Sequence, residues 1–212
     1  MATLIRKTFS VPPLSCNCSI LGDSETKQAV VVDPGGNAER ILREVNELGL
    51  TVSLILHTHA HFDHFLASGA IQQSTQAPIG LHQDDRQLWD MLEVQCQMFG
   101  VPYTPVPSPN AWLVDEESFK VGEFAGTVMH TPGHTPGSLC FYFSQNNLVL
   151  SGDTLFRGGI GRTDLWGGDP YAIEESIRER LYTLNENTVV VPGHGRETQI
   201  GIERQSNAFI TG

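Results

Sequence analysis

The stretch TVSLILHTHAHFDH, residues 51–64, joins two unlike halves. Its first six residues are mostly apolar or β-branched and read as a buried β-strand. The eight that follow carry four histidines and an aspartate, with no lysine or arginine. Side chains two apart on an extended chain point the same way, so His59 and His61 reach toward one point. A helix beginning at about Asp63 swings Asp63 and His64 toward a second point close by. Imidazole and carboxylate together suit zinc, iron or manganese.

The same arrangement recurs downstream. The run GTVMH (126–130) leads into His134, NLVLS (147–151) into Asp153, and TVVV (188–191) into His194. Four apolar runs thus each deliver a histidine or aspartate just past the C-terminal end. That is the edge where ligands collect in α/β proteins. Seven groups (His59, His61, Asp63, His64, His134, Asp153 and His194) exceed the four positions of a tetrahedral ion. They suit two ions about 3.5–4 Å apart that share a carboxylate and a water. Without a cation, two carboxylates about 5 Å apart cost each other about 3 kcal/mol at an effective dielectric near 20. His57, His82 and His130 lack such company and read as surface or hydrogen-bonded residues.

Around these runs the pattern is that of an α/β layer. A strand at 29–32 ends in Asp33-Pro34-Gly35-Gly36, and Asn37 caps a helix through Leu48. Ile41, Leu42, Val45 and Leu48 form its apolar face, and Gly49 stops it. Further helices are predicted within 64–76 and from Asp84 and Asp85 to about Met98, where negative charge suits a helix start. A short strand at 78–81 lies between them, and a proline-rich connection covers 101–110. The second half offers strands at 118–121, 126–130, 138–143, 147–151 and 188–191. Its helices are expected at 171–184 and near 201–208. A four-layer αββα sandwich buries two such sheets naturally, although composition does not select it over other α/β folds. One domain over residues 1–212 is expected.

Hydrophobic residues make up 40% of the chain, with 21 glycines and 12 prolines, which is globular composition with many turns. The net charge of −11 argues against nucleic acid and against an anionic membrane surface. No run approaches the ~20 apolar residues of a membrane span. Arg6 and Lys7 precede no apolar segment, so a secretory signal is not expected. The four scattered cysteines fit reduced thiols in a cytoplasmic protein. Cys96 and Cys140 read as packing residues, and Cys16-x-Cys18 is not taken as a metal or redox site.

The motifs T-H-x-H-x-D-H (58–64), T-P-G-H-T-P-G (131–137), S-G-D-T-L-F (151–156) and P-G-H-G (192–195) resemble those of the metallo-β-lactamase superfamily. Within it the chain is most similar to the short glyoxalase II-like (hydroxyacylglutathione hydrolase-like) enzymes, from about Asn17 to His194. The resemblance implies an αββα sandwich with two mixed sheets packed face to face and helices outside. It implies two divalent transition-metal ions, zinc before iron or manganese. His59, His61 and His134 would hold the first, Asp63, His64 and His194 the second, and Asp153 would bridge them. A hydroxide generated on the metals, where water's pKa falls from about 15.7 to about 7, would attack an acyl carbonyl. Asp63 would orient the nucleophile and accept its proton.

The implied partner is a small thioester such as S-lactoylglutathione. Arg162 stands where relatives place a basic residue against glutathione; gripping a substrate carboxylate and pairing with Asp164 are its two readings. Gly161-Arg162-Thr163-Asp164 also resembles the mono-iron persulfide dioxygenases, which usually lack the Pro-Gly-His-Gly end and would leave several ligands idle. Glyoxalase II has an additional C-terminal helical region, whereas 18 residues follow His194 here, and Arg196-Glu197 stand near where those enzymes carry a tyrosine. A more open site with weak or broad thioesterase activity is the expectation.

Overall fold

Alternation along the central strands sorts their apolar residues onto two faces. In the computed structural model, which describes residues 1–212, this alternation generates the layers. The first sheet contains β1 (Leu4–Val11), β2 (Cys16–Asp23), β3 (Gln28–Val32), β4 (Thr51–Leu56), β5 (Ile79–His82) and β6 (Ala111–Leu113), in that spatial order. β1 to β3 are antiparallel and β3 to β6 parallel. The second half supplies β7 (Ser118–Val121), β8 (Phe124–His130), β9 (Leu139–Phe143), β10 (Leu148–Gly152), a small hairpin of β11 (Leu155–Phe156) and β12 (Gly159–Ile160), then β13 (Val189–Pro192) and β14 (Thr198–Gln199). The second sheet runs β14-β13-β10-β9-β8-β7, with β10 and β13 parallel and its other pairs antiparallel.

Three apolar clusters fill the three spaces between four layers. Leu21, Val30, Val32, Leu56, Leu139, Phe141, Phe143 and Leu150 meet between the sheets. The alternate residues Ile20, Val31 and Ile55 face outward. They pack under α1 (Ala38–Glu47), α2 (Phe62–Phe65), α3 (Ser68–Thr75), α4 (Arg86–Asp90) and α5 (Leu92–Phe99). On the other side Cys140, Val149 and Val190 pack under α6 (Pro170–Glu175), the π-helical turn Ser176–Leu181 that continues it, and α7 (Ile200–Ser206). The αββα sandwich follows, with both sheets mixed. No helix is long and apolar enough to cross a membrane.

Local signals act as the sequence suggests at α1. Asn37 takes φ 54° and its side chain accepts from the Arg40 N–H at 3.3 Å. Elsewhere the elements differ. The β1–β2 hairpin, with Leu4 opposite Asp23 through Val11 opposite Cys16, has no counterpart in the sequence reading. The helix expected from Asp84 to Met98 breaks at Met91 into α4 and α5, preceded by a 3₁₀ turn at Gln83–Asp85. The helix expected within 64–76 begins earlier, at Phe62, and comes in two pieces, α2 and α3. The connection at 101–110 is without regular structure, as expected.

Phe141 is fully buried between the sheets. Phe141→Ala should destabilise the protein by about 3–5 kcal/mol in urea unfolding. A loss below about 1 kcal/mol would contradict the face-to-face packing described here.

Candidate metal centre

The ends of β4, β8, β10 and β13 lead into four loops that meet at one edge of the sandwich. Their backbones are stitched together. Leu139 N–H donates to Thr58 O at 2.7 Å, Gly193 N–H to Gly152 O at 2.8 Å, and Asn17 N–H to Gly193 O at 2.7 Å. Beyond β4 the chain bends at Thr58 and is extended at His61, and the His59 and His61 rings lie together with centroids 4.8 Å apart. The single turn of α2 then presents Asp63 and His64. A Cβ at Gly193 would collide with the Asp153 carboxylate, so the β13 loop can approach Asp153 only with glycine there.

All seven predicted side chains converge. His61 Nδ1 faces His134 Nε2 at 2.9 Å. His194 Nε2 lies 3.3 Å from His64 Nε2 and 3.2 Å from Asp63 Oδ2. Asp153 stands between these sets, with Oδ2 3.6 Å from His134 Nε2 and 3.7 Å from His194 Nε2, and Oδ1 3.6 Å from His64 Nε2. The ligating atoms of His59, His61 and His134 lie within 4.8 Å of one another, as do those of Asp63, His64 and His194.

The donor set fits metal. His59 Nε2 and Asp153 Oδ1 are buried at the centre without a hydrogen-bond partner, a state that costs about 1–3 kcal/mol per group unless a cation satisfies it. His134 Nδ1 donates to the Arg162 carbonyl at 2.7 Å, which leaves Nε2 as the lone pair. Burial, followed by His64 and His134, drives the His59 pKa well below the usual histidine value. Burial with His134 and His64 pushes His61 down to about 3. Both rings are therefore neutral and able to ligate.

The metallo-β-lactamase superfamily profile matches residues 11–194. The chain belongs to that superfamily. Hydroxyacylglutathione hydrolase GloC of Haemophilus influenzae is 40% identical over 196 residues, covering 92% of each chain. The crystal structure of BLEG-1 B3 metallo-β-lactamase superposes with a TM-score of 0.91 at 38% identity, covering 98% of this chain and 100% of that one. TTHA1623 in a di-iron-bound form gives a TM-score of 0.88 at 35% identity, covering 96% and 100%. The chain is thus a metallo-hydrolase-type protein with a His/Asp metal-binding cluster.

Around the seven side chains lies a layer that the sequence does not announce. Asp33 was read only as part of a turn. In the structure it is buried, accepts from the Thr58 N–H at 2.8 Å and hydroxyl at 2.7 Å, and faces His64 Nδ1 at 3.1 Å. The clue in the sequence is the Asp-Pro-Gly-Gly turn that ends the strand, where Asp33 takes φ 50°. Cys16 Sγ lies 3.5 Å from the same His64 nitrogen, so this buried cysteine touches the site. Asn17 Nδ2 donates to Pro192 O at 2.9 Å and Gly195 O at 3.0 Å, holding the His194 loop.

Arg162 pairs with Asp164 through two bonds of 2.7 Å, while also lining the cavity beside the cluster. That cavity, about 180 Å³, has apolar walls from Leu14, Phe62, Phe99 and Leu165. His57 is fully buried between Gly80 O and Ser68 Oγ, and His82 stacks on His130 at 4.2 Å. None of these three joins the seven.

Burial works against the charged form of His64, but Cys16, Asp63, Asp153 and Asp33 outweigh it and raise its pKa well above the usual value. Burial likewise opposes charge on His194, and Asp63 and Asp153 prevail in raising it. A metal must therefore compete with protons for these two rings. Zinc uptake at pH 7 should therefore release protons, seen by titration calorimetry in buffers of different ionisation enthalpy. Apparent affinity should fall about tenfold per pH unit of acidification for each proton displaced. Uptake independent of pH between 6 and 8 would contradict this.

Proposed function

We propose that the protein is a dinuclear metal-dependent hydrolase of small thioesters, with S-lactoylglutathione as the representative substrate. The observation that carries this reading is the Asp153 carboxylate lying between two ligand trios, His59/His61/His134 and Asp63/His64/His194. Divalent ions bound there supply Lewis acidity, which lowers the pKa of water and polarises a carbonyl oxygen.

The chain's own groups do the rest. Asp63, buried at the cavity wall, is held ionised: burial raises its pKa, but His64 and His194 bring it down to about 2. Its carboxylate orients the attacking water and takes the first proton. The water oxygen bonds to the thioester carbon, the C–S bond breaks, and the sulfur leaves as a thiol that takes the proton back from Asp63, while the second water proton stays with the carboxylic acid that forms. Leu14, Phe62, Phe99 and Leu165 exclude water from one side of the substrate. Arg162 stands at the cavity wall, where a carboxylate of the thiol part would compete with Asp164 for its guanidinium.

The buried Cys16 and Cys140 offer no rival nucleophile. Burial pushes the Cys16 thiol up to about 12 and the Cys140 thiol up to about 11, far from thiolate at neutral pH. The similarity to GloC supports the thioester, and that to BLEG-1 favours a second reading, β-lactam hydrolysis, which asks the same of these residues. Persulfide dioxygenation on a single iron would leave one trio without a task.

Purified protein loaded with zinc or iron should hydrolyse S-lactoylglutathione without oxygen uptake, and Asp153→Ala should lose at least about a hundredfold in kcat together with bound metal. Hydrolysis of a chromogenic cephalosporin alone would favour the second reading. Oxygen consumption with glutathione persulfide and no thioester cleavage would overturn both. Full activity in Asp153→Ala would overturn the site.

A further inference from the structure

Asp85 is fully buried, yet no lysine, arginine or histidine pairs with it, and the reaction outlined above makes no use of it. Its Oδ2 accepts from the Ala60 N–H and from the Thr135 hydroxyl, both at 2.8 Å, and its Oδ1 accepts from the Gly137 N–H at 2.6 Å. Ala60 lies between His59 and His61, and Thr135 follows His134. A Cβ at Gly137 would stand 2.8 Å from Asp85 Oδ1, so the approach of this carboxylate depends on glycine. Gln95, from α5, completes the contact. Its Nε2 donates to Ala60 O and its Oε1 accepts from the Phe62 N–H, both at 3.0 Å. Both backbone polar groups of Ala60 are thus held by side chains from 83–99.

We propose that Asp85 is a positioning residue for one metal half-site: it clamps the loop bearing His59 and His61 to the loop bearing His134. The inference rests on the two-metal reading and adds that Asp85 supports this half-site and not the other, while Asp33 reaches Thr58 beside His59 as well as His64. Asp85 bonds to no residue of the Asp63/His64/His194 trio, whereas Asp33 faces His64. Three donors point at Asp85 and none of its partners is a fixed acceptor. An asparagine of the same shape would therefore turn an NH₂ group toward a donor and lose an acceptor that only a carboxylate supplies. Supporting groups of this kind change metal affinity by about 10–100-fold when removed.

The test is stepwise cobalt(II) titration of the chelator-treated full chain, followed by calorimetry and by cobalt absorption. His61→Ala and His194→Ala serve as references for the two half-sites. Wild type should take up two ions per chain. Asp85→Asn should weaken one equivalent about 10–100-fold, the one also lost in His61→Ala, and leave the other within about threefold. Thr135→Val, which removes one donor to Asp85, should weaken the same equivalent by less; it decides the matter if Asp85→Asn does not fold. Two wild-type equivalents with both left unchanged by these variants, or with the His194 equivalent affected instead, would overturn the clamp alone. A wild type that takes up a single ion would fail the two-metal reading, and the clamp with it.

Discussion

Asp63 and Asp153 approach the same imidazoles at one edge of the sandwich, and no lysine or arginine forms an ion pair with either carboxylate. Ring nitrogens of His61, His134, His64 and His194 crowd into the same space, and two buried polar atoms there have no partner. Such a cluster repels itself unless positive charge enters it. The rest of the molecule follows from holding these groups together against that repulsion. The protein's charge of −11 makes the demand for cations more acute, because the surface contributes negative potential as well.

The sandwich meets the demand by division of labour. The first sheet and α2 bring His59, His61, Asp63 and His64, and the second sheet brings His134, Asp153 and His194. The apolar layer led by Phe141 and Phe143 fixes the distance between the sheets, and so between the two groups of ligands. Short backbone bonds such as Leu139 to Thr58 fasten the loops across the gap. Polar groups then orient individual side chains: the buried Asp33 carboxylate behind His64, the Arg162 backbone carbonyl behind His134, and Asn17 behind the His194 loop. The first two act through a hydrogen bond that decides which ring nitrogen keeps its proton, and Asn17 acts on the loop backbone.

Much of this is legible in the chain before folding, because it rests on local rules. Apolar runs at 29–32 and 138–143 mark the sandwich strands, and a histidine or aspartate after such a run marks the edge. What escapes is what depends on distant partners. The β1–β2 hairpin carries Arg6 and Lys7 along an edge strand, and its support comes from Glu197 and Glu44, far along the chain. Asp85 beside Asp84 looks like ordinary charge at a helix start; only the folded loops reveal three donors aimed at it. Arg162 could have turned to substrate or to Asp164, and two residues of separation settle it on Asp164 in the free protein. The break at Met91 has no glycine or proline to announce it.

The most direct measurement is an anomalous-difference map from crystals of the protein saturated with zinc, collected on both sides of the zinc absorption edge. The account predicts two peaks per chain about 3.5–4 Å apart, one against His59, His61 and His134, the other against Asp63, His64 and His194, with Asp153 between them. A single peak, or two peaks at which Asp153 touches neither ion, would contradict it.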